Sequence, residues 1–231
     1  MKKIALLLTI TAFSVSLSAQ GVRMGLTASP QFSWLKSDAS SISSDGGQFG
    51  FNFGLLTDFF FAERYSLSTG LMINNTGGGL KYSDSLQFKT SDITYNLSSG
   101  SIKYKIQYID IPVAFKMESN QIGYFVYYAQ FGITNHLRVG ASADIEGESI
   151  STDGVNMIVS LNGVGCKDEV NFFNMGYNIG AGANYYFSKN TAITFGILYT
   201  NGFIDVTNNS DKKIQDDASL RSVTLKLGVI F

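Results

Sequence analysis

The chain has 231 residues, with charged residues at 15% and a formal net charge of −1. That charge excludes the basic surface a nucleic-acid partner would need, and one cysteine, Cys166, excludes an internal disulfide. Twenty-four glycines, 18 phenylalanines and 12 tyrosines against two prolines point to many strands rather than helices.

The N-terminus, MKKIALLLTITAFSVSLSAQ, places Lys2 and Lys3 before an apolar run and small residues at Ser16, Ser18 and Ala19. This is the pattern of a secretory signal peptide, residues 1–19, cleaved after Ser18 or Ala19. The mature domain is then 20–231. After Ala19 no run of about 18 apolar residues occurs, so no transmembrane helix is expected.

From Val22 to Trp34, Val22, Met24, Leu26, Ala28 and Phe32 alternate with Arg23, Gly25, Thr27, Ser29 and Gln31. Such alternation is the mark of a β-strand. It recurs over 48–61 (QFGFNFGLLTDFFF), 65–73, 107–116, 122–133, 174–187 (NMGYNIGAGANYYF), 191–203 and 222–231, making eight strands. Short turns fall at 62–64, 118–121 and 188–190, and polar loops at about 36–47, 80–100, 137–170 and 205–217. The third loop contains a β-prone stretch, VNMIVSLNG, which gives ten strands as the alternative count.

One parity is apolar in every strand, while the other carries Gly, Asn, Ser and Thr rather than Lys and Glu. Lipid accepts the first face and a narrow lumen accepts the second. Closure satisfies all backbone groups in hydrocarbon. The predicted fold is therefore an all-β, eight-stranded antiparallel transmembrane β-barrel of a bacterial outer membrane. Short periplasmic turns and long extracellular loops would connect its strands. A soluble β-sandwich or lipocalin-like barrel is the competing reading.

Arg23, Asp58, Asp110, Lys116 and Lys226 fall on the inward parity. Buried charges need partners, which predicts a lumen charge network with Asp110 one layer above Arg23, Asp58 and Lys116. Tyr124, Tyr128, Phe60 and Met72 are expected to fill the space left by Gly180 and Gly182. Outward near the external rim, Lys103, Lys105 and Arg221 are candidate contacts for lipopolysaccharide phosphates, and Trp34, Tyr104, Tyr185 and Phe187 are candidates for interfacial girdles. Asp144, Glu146, Glu148 and Asp153 cluster in the third loop, but without the spacing of a calcium loop. The single histidine, His136, is placed at the outer end of its strand, with Ser142 and Asp144 too far along the same strand to bond it directly. Catalytic, cofactor and metal residues are therefore predicted as none.

YIDIPVAFK (108–116) resembles a strand of the PorT-like outer-membrane β-barrel family of Bacteroidota, with Asp110 where that family usually has glutamate. GFNFGLLTDFFFAERYSLSTGLMI and GYNIGAGANYYFSKNTAITFGILYTNG resemble two of its hairpins. TLKLGVIF resembles the final strand that barrel-assembly machinery reads. The resemblance implies a non-enzymatic small barrel. One branch of that family takes part in type IX protein secretion, which makes envelope proteins the expected partners alongside membrane lipid and lipopolysaccharide. A structural or adhesive barrel is the alternative, and a lipid A-modifying enzyme or narrow channel is weaker still.

Overall fold

The computed structural model describes residues 21–83, 86–89, 94–150, 156–207 and 218–231. The leader expected at 1–19 lies outside them. The strands are β1 (Val22–Ser37), β2 (Ile42–Ala62), β3 (Tyr65–Tyr82), β4 (Leu86–Lys89), β5 (Thr94–Leu97) and β6 (Ser99–Glu118). They continue with β7 (Phe125–Ile150), β8 (Asn156–Gly165), β9 (Phe173–Tyr186), β10 (Ala192–Gly202) and β11 (Ala218–Ile230).

Eight strands close a ring in the order β1, β2, β3, β6, β7, β9, β10, β11, every pairing antiparallel. The first and last strands seal it through the β1–β11 register. β8 pairs with β7 alone and stands outside the ring, so the ring count is eight and not ten. β4 and β5 form a separate hairpin.

The polarity of the wall is that of a membrane barrel. Val22, Leu26, Phe49, Phe53, Leu71, Phe131, Ile179, Ile197 and Leu225 are exposed on the outside, while Ser29, Asn52, Ser68, Asn74, Asn178, Thr194 and Thr224 are buried inside. A water-soluble sheet would bury the first set. Here lipid covers it, and hydrogen bonds between neighbouring strands satisfy the backbone.

The strands rise further than the alternation of their apolar halves suggested. The connection between β1 and β2 shrinks to residues 38–41, and β7 runs for 26 residues. Most of what reads as polar loop at 36–47 and 137–150 is strand. Strand β6 shows why. Its even residues point inward throughout, but they change from Asp110, Ala114 and Lys116 to Ile102, Tyr104, Ile106 and Tyr108. Its outward residues change at the same level, from Ile109, Ile111, Val113, Phe115 and Met117 to Lys103, Lys105 and Gln107. Nine residues, 109–117, present the apolar outer face, close to the ~9–11 a tilted strand needs to cross a bilayer.

The barrel thus has two storeys. The lower is a membrane barrel, polar inside. The upper is built like a water-soluble barrel, apolar inside. The upper core joins Leu35, Ile42, Leu80, Tyr82, Leu97, Ile102, Tyr104, Ile145 and Leu220, with Val159 and Leu161 of β8 packed against it. Cys166, expected in a polar loop, is buried in this core, as are Val170 and Val206. Tyr104, expected in an interfacial girdle, is also inside it, because it shares the inward parity with Asp110.

Candidate functional site

The lumen of the lower storey holds every charge predicted to face it. At the short-turn end, Arg23 on β1 bonds Asp58 on β2 at 2.9 Å, and Lys116 on β6 bonds the same Asp58 oxygen at 2.8 Å. Glu118 completes the group, paired with Arg23 and lying 3.5 Å from Lys116. Two cations and two carboxylates cancel. Tyr186 Oη accepts from Arg23 at 2.9 Å, and Asn184 donates to Glu118 at 3.2 Å. The guanidinium also stacks over Phe60, 4.7 Å from the ring centroid. Glu118 was missed as a turn residue, though it follows Lys116 by two positions on the inward parity.

Tyr128 on β7 forms the next level. Its ring has Lys116 Nζ at 4.6 Å and Lys226 Nζ at 5.3 Å, both close enough for cation–π attraction. A Cβ placed on Gly182 or Gly196 would come within 2.6 Å of the Tyr128 hydroxyl. Those glycines make room for the tyrosine, which fills the lumen there as expected. Tyr124 does not join it, since it precedes β7 and is exposed.

Above Tyr128 lies a cavity of about 50 Å³, lined by Ser29, Gln31, Asn74, Asp110, His136 and Lys226 among others. A hydrogen-bonded belt crosses it. His136 Nδ1 and Asp110 Oδ1 are 2.6 Å apart, and Asn74 donates to Asp110 Oδ2 at 2.7 Å. Gln31 donates to Asn74 Oδ1 at 2.6 Å, and Thr224 donates to Gln31 Oε1 at 3.2 Å. Gln31 reaches Asn74 across β2 past Gly50, where a Cβ would lie 3.1 Å from Gln31 Nε2. Asp110 therefore sits one layer above the four-charge plug, as its position in β6 implied.

His136 is not a rim residue. It is buried in the lumen, its ring tilted by 52° to that of Tyr108 with centroids 5.4 Å apart. His136 keeps the inward parity of Tyr128, Gln130 and Thr134, and it is inside because β7 continues well above it. Between the pairs Gln107–Gly140 and Tyr108–Arg138 the register slips by Val139, a bulge that reverses the parity of β7. Below it His136 faces in; above it Ala141, Ala143 and Ile145 face in, and Ser142 and Asp144 face out. Distance along the strand and opposite faces both separate His136 from Ser142. Among the described residues no serine or threonine hydroxyl bonds His136.

Outside, Lys105 bonds Asp144 at 2.6 Å. That hydrogen bond, and a second from the Gly163 N–H at 2.8 Å, hold the Asp144 carboxyl below its usual range. Asp144, Glu146 and Glu148 alternate along the extended outer face of β7, too spread out to enclose one cation, and Asp153 lies outside the described residues. Lys103 and Lys105 stand on β6 while Arg221 stands on β11, four strands away around the ring. The structure does not gather these three. Arg221 lies opposite Trp34, where the outer wall turns apolar at Val223.

A family model described as outer membrane protein beta-barrel domain matches residues 17–208. The chain belongs to this family. Its place is the bacterial outer membrane, as the inverted polarity of the lower storey requires. Among solved structures, neisserial surface protein A (NspA) is similar over 91% of this chain and 98% of its own, at 12% identity and a TM-score of 0.47. Ail of Yersinia pestis, in complex with sucrose octasulfate, matches over 91% and 99% at 16% identity and a TM-score of 0.40. OprG of Pseudomonas aeruginosa matches over 91% and 95% at 10% identity and a TM-score of 0.41. No curated protein matches the chain.

Proposed function

We propose that this small outer-membrane barrel is non-enzymatic and acts by holding its upper storey out to envelope protein partners. The observation that carries the reading is the contrast between lumen and rim. The lumen is packed at two levels, by the charge plug with Tyr128 and by the apolar core above. The rim carries β7 beyond the ring with β8 alongside it, and Ile158 on β8 is 87% exposed. Among the described residues the second edge of β8 has no strand partner. Such an edge accepts an added strand. The resemblance of YIDIPVAFK to PorT-like proteins supplies the setting, a secretion or surface-assembly apparatus of the type IX kind. Arg221, beside Trp34 at the apolar boundary, is the cation best placed to meet lipopolysaccharide; Lys105 is engaged by Asp144.

The test is a deletion strain complemented with the parent chain or with Ile158→Asp. Retention of type IX cargo in the periplasm, reversed by the parent and not by the variant, is the expected result. An unchanged surface proteome removes the secretion role and leaves a structural or adhesive barrel. Altered lipid A in a His136→Ala strain would restore the enzyme class, and discrete conductance in planar bilayers would restore the channel.

A further inference from the structure

The lower storey holds three cations and three carboxylates, but not in matched places. Arg23 and Lys116 answer Asp58 and Glu118. Asp110 is tied to His136 and Asn74. Lys226 is 7% exposed, and among the described residues no carboxylate lies within ion-pairing distance of it. Its ammonium donates to Gln130 Oε1 at 3.0 Å and otherwise faces the Tyr128 ring and the cavity. An ammonium has three protons to donate, and burying one without a counter-charge is costly.

Two hydroxyls stand on the strand that pairs with the Lys226 strand. Thr27 and Ser29 on β1 line the same cavity. The Thr27 hydroxyl is buried and has no hydrogen-bond partner. Ser29 Oγ accepts from the Leu227 N–H at 3.3 Å, which leaves its own proton free to donate. The carboxylate across the cavity, Asp110, already accepts on both oxygens. A cavity of about 50 Å³ has room for a monatomic ion with a few waters, at roughly 10–15 Å³ for each water-sized centre.

We propose that this chamber binds a monovalent inorganic anion of halide size, with the Lys226 ammonium as principal donor and the Thr27 and Ser29 hydroxyls beside it. The ion meets Lys226 locally, the one lumen cation among the described residues with no carboxylate in contact. Because the plug closes one end and the apolar core the other, it enters as the barrel folds.

The probe is bromide, present while the mature chain refolds. Crystals grown from that material should show anomalous scattering at hydrogen-bonding distance from Lys226 Nζ. In parallel, the thermal midpoint should rise by about 5–10 °C and saturate as bromide replaces gluconate at constant ionic strength, for a hundredfold excess over Kd. Lys226→Met should lose that dependence. A chamber without anomalous density overturns the proposal, as does an equal bromide shift in Lys226→Met. If the variant does not fold, the parent's bromide density decides alone.

Discussion

Lys116→Met tests whether the lumen plug behaves as a closed charge circuit. Lys116 is 2% exposed, and its ammonium touches Asp58 at 2.8 Å, Glu118 at 3.5 Å and the Tyr128 ring at 4.6 Å. Methionine matches its length but leaves Asp58 and Glu118 sharing Arg23. Removing one partner of a buried pair costs ~3–5 kcal/mol. Arg23 still holds Asp58 at 2.9 Å, so the loss belongs at the lower end, about 3 kcal/mol. Asp58→Asn should cost about 2–3 kcal/mol by the same reasoning, since Lys116 keeps only the more distant Glu118. The double variant removes both charges and leaves Arg23 with Glu118, a neutral pair. It should lose only ~2 kcal/mol, well short of the two single losses together. Urea unfolding of the refolded barrel in detergent, followed by the single tryptophan, Trp34, measures all three. Strict additivity would refute the argument, because it would mean that each charge is solvated independently.

Three further outcomes follow from the geometry. Ile102→Asp puts a charge into the core of the upper storey; added protease should then cut the extracellular strands while the membrane storey still shifts on unheated gels, and intact upper strands would contradict the two-storey division. Gly50→Val places a Cβ 2.0 Å from the Asn75 carbonyl oxygen and 3.1 Å from Gln31 Nε2, so it should cost about 3 kcal/mol or more in urea, with a loss under 1 kcal/mol counting against the belt. Lys105→Met should raise the Asp144 pKa, since the Lys105 hydrogen bond is the main cause of its depression. The stability from that depressed carboxyl is present above the ordinary value of ~3.9 and is lost as pH falls through the lower folded value. Carboxyl NMR reads the shift, and an unmoved Asp144 would falsify the assignment.

The lower storey was legible because period-two alternation and composition agree there. Glycine, asparagine and serine opposite phenylalanine and leucine fit lipid outside and a narrow lumen inside. The same parity rule located Arg23, Asp58, Asp110, Lys116 and Lys226 on the lumen wall. The upper storey was illegible to that rule for a specific reason. Along KYKIQYID the period stays at two, but the polar and apolar faces exchange roles, so Lys103 and Lys105 read as rim cations above the strand and Tyr104 as a girdle. A flip in which parity is charged, between Gln107 and Ile109, was the available signal. The Val139 bulge left no comparable mark, and it decides which way Ala141, Ser142 and Asp144 point. Gln31 reads as inward, but its partner Asn74 lies just past the alternating stretch 65–73, and their meeting depends on strand register.

The belt His136–Asp110–Asn74–Gln31–Thr224 links β7, β6, β3, β1 and β11. Its last bond joins the first strand of the chain to the last, across the β1–β11 seam. An inserted sheet that has not yet closed therefore exposes an incomplete row of amides, and a sheet closed one residue out of step turns Gln31 toward hydrocarbon. Completion of the row is chemically distinguishable from every near-miss. The Thr224–Gln31 bond therefore belongs to the barrel closed in this register, and neither terminal strand carries it alone.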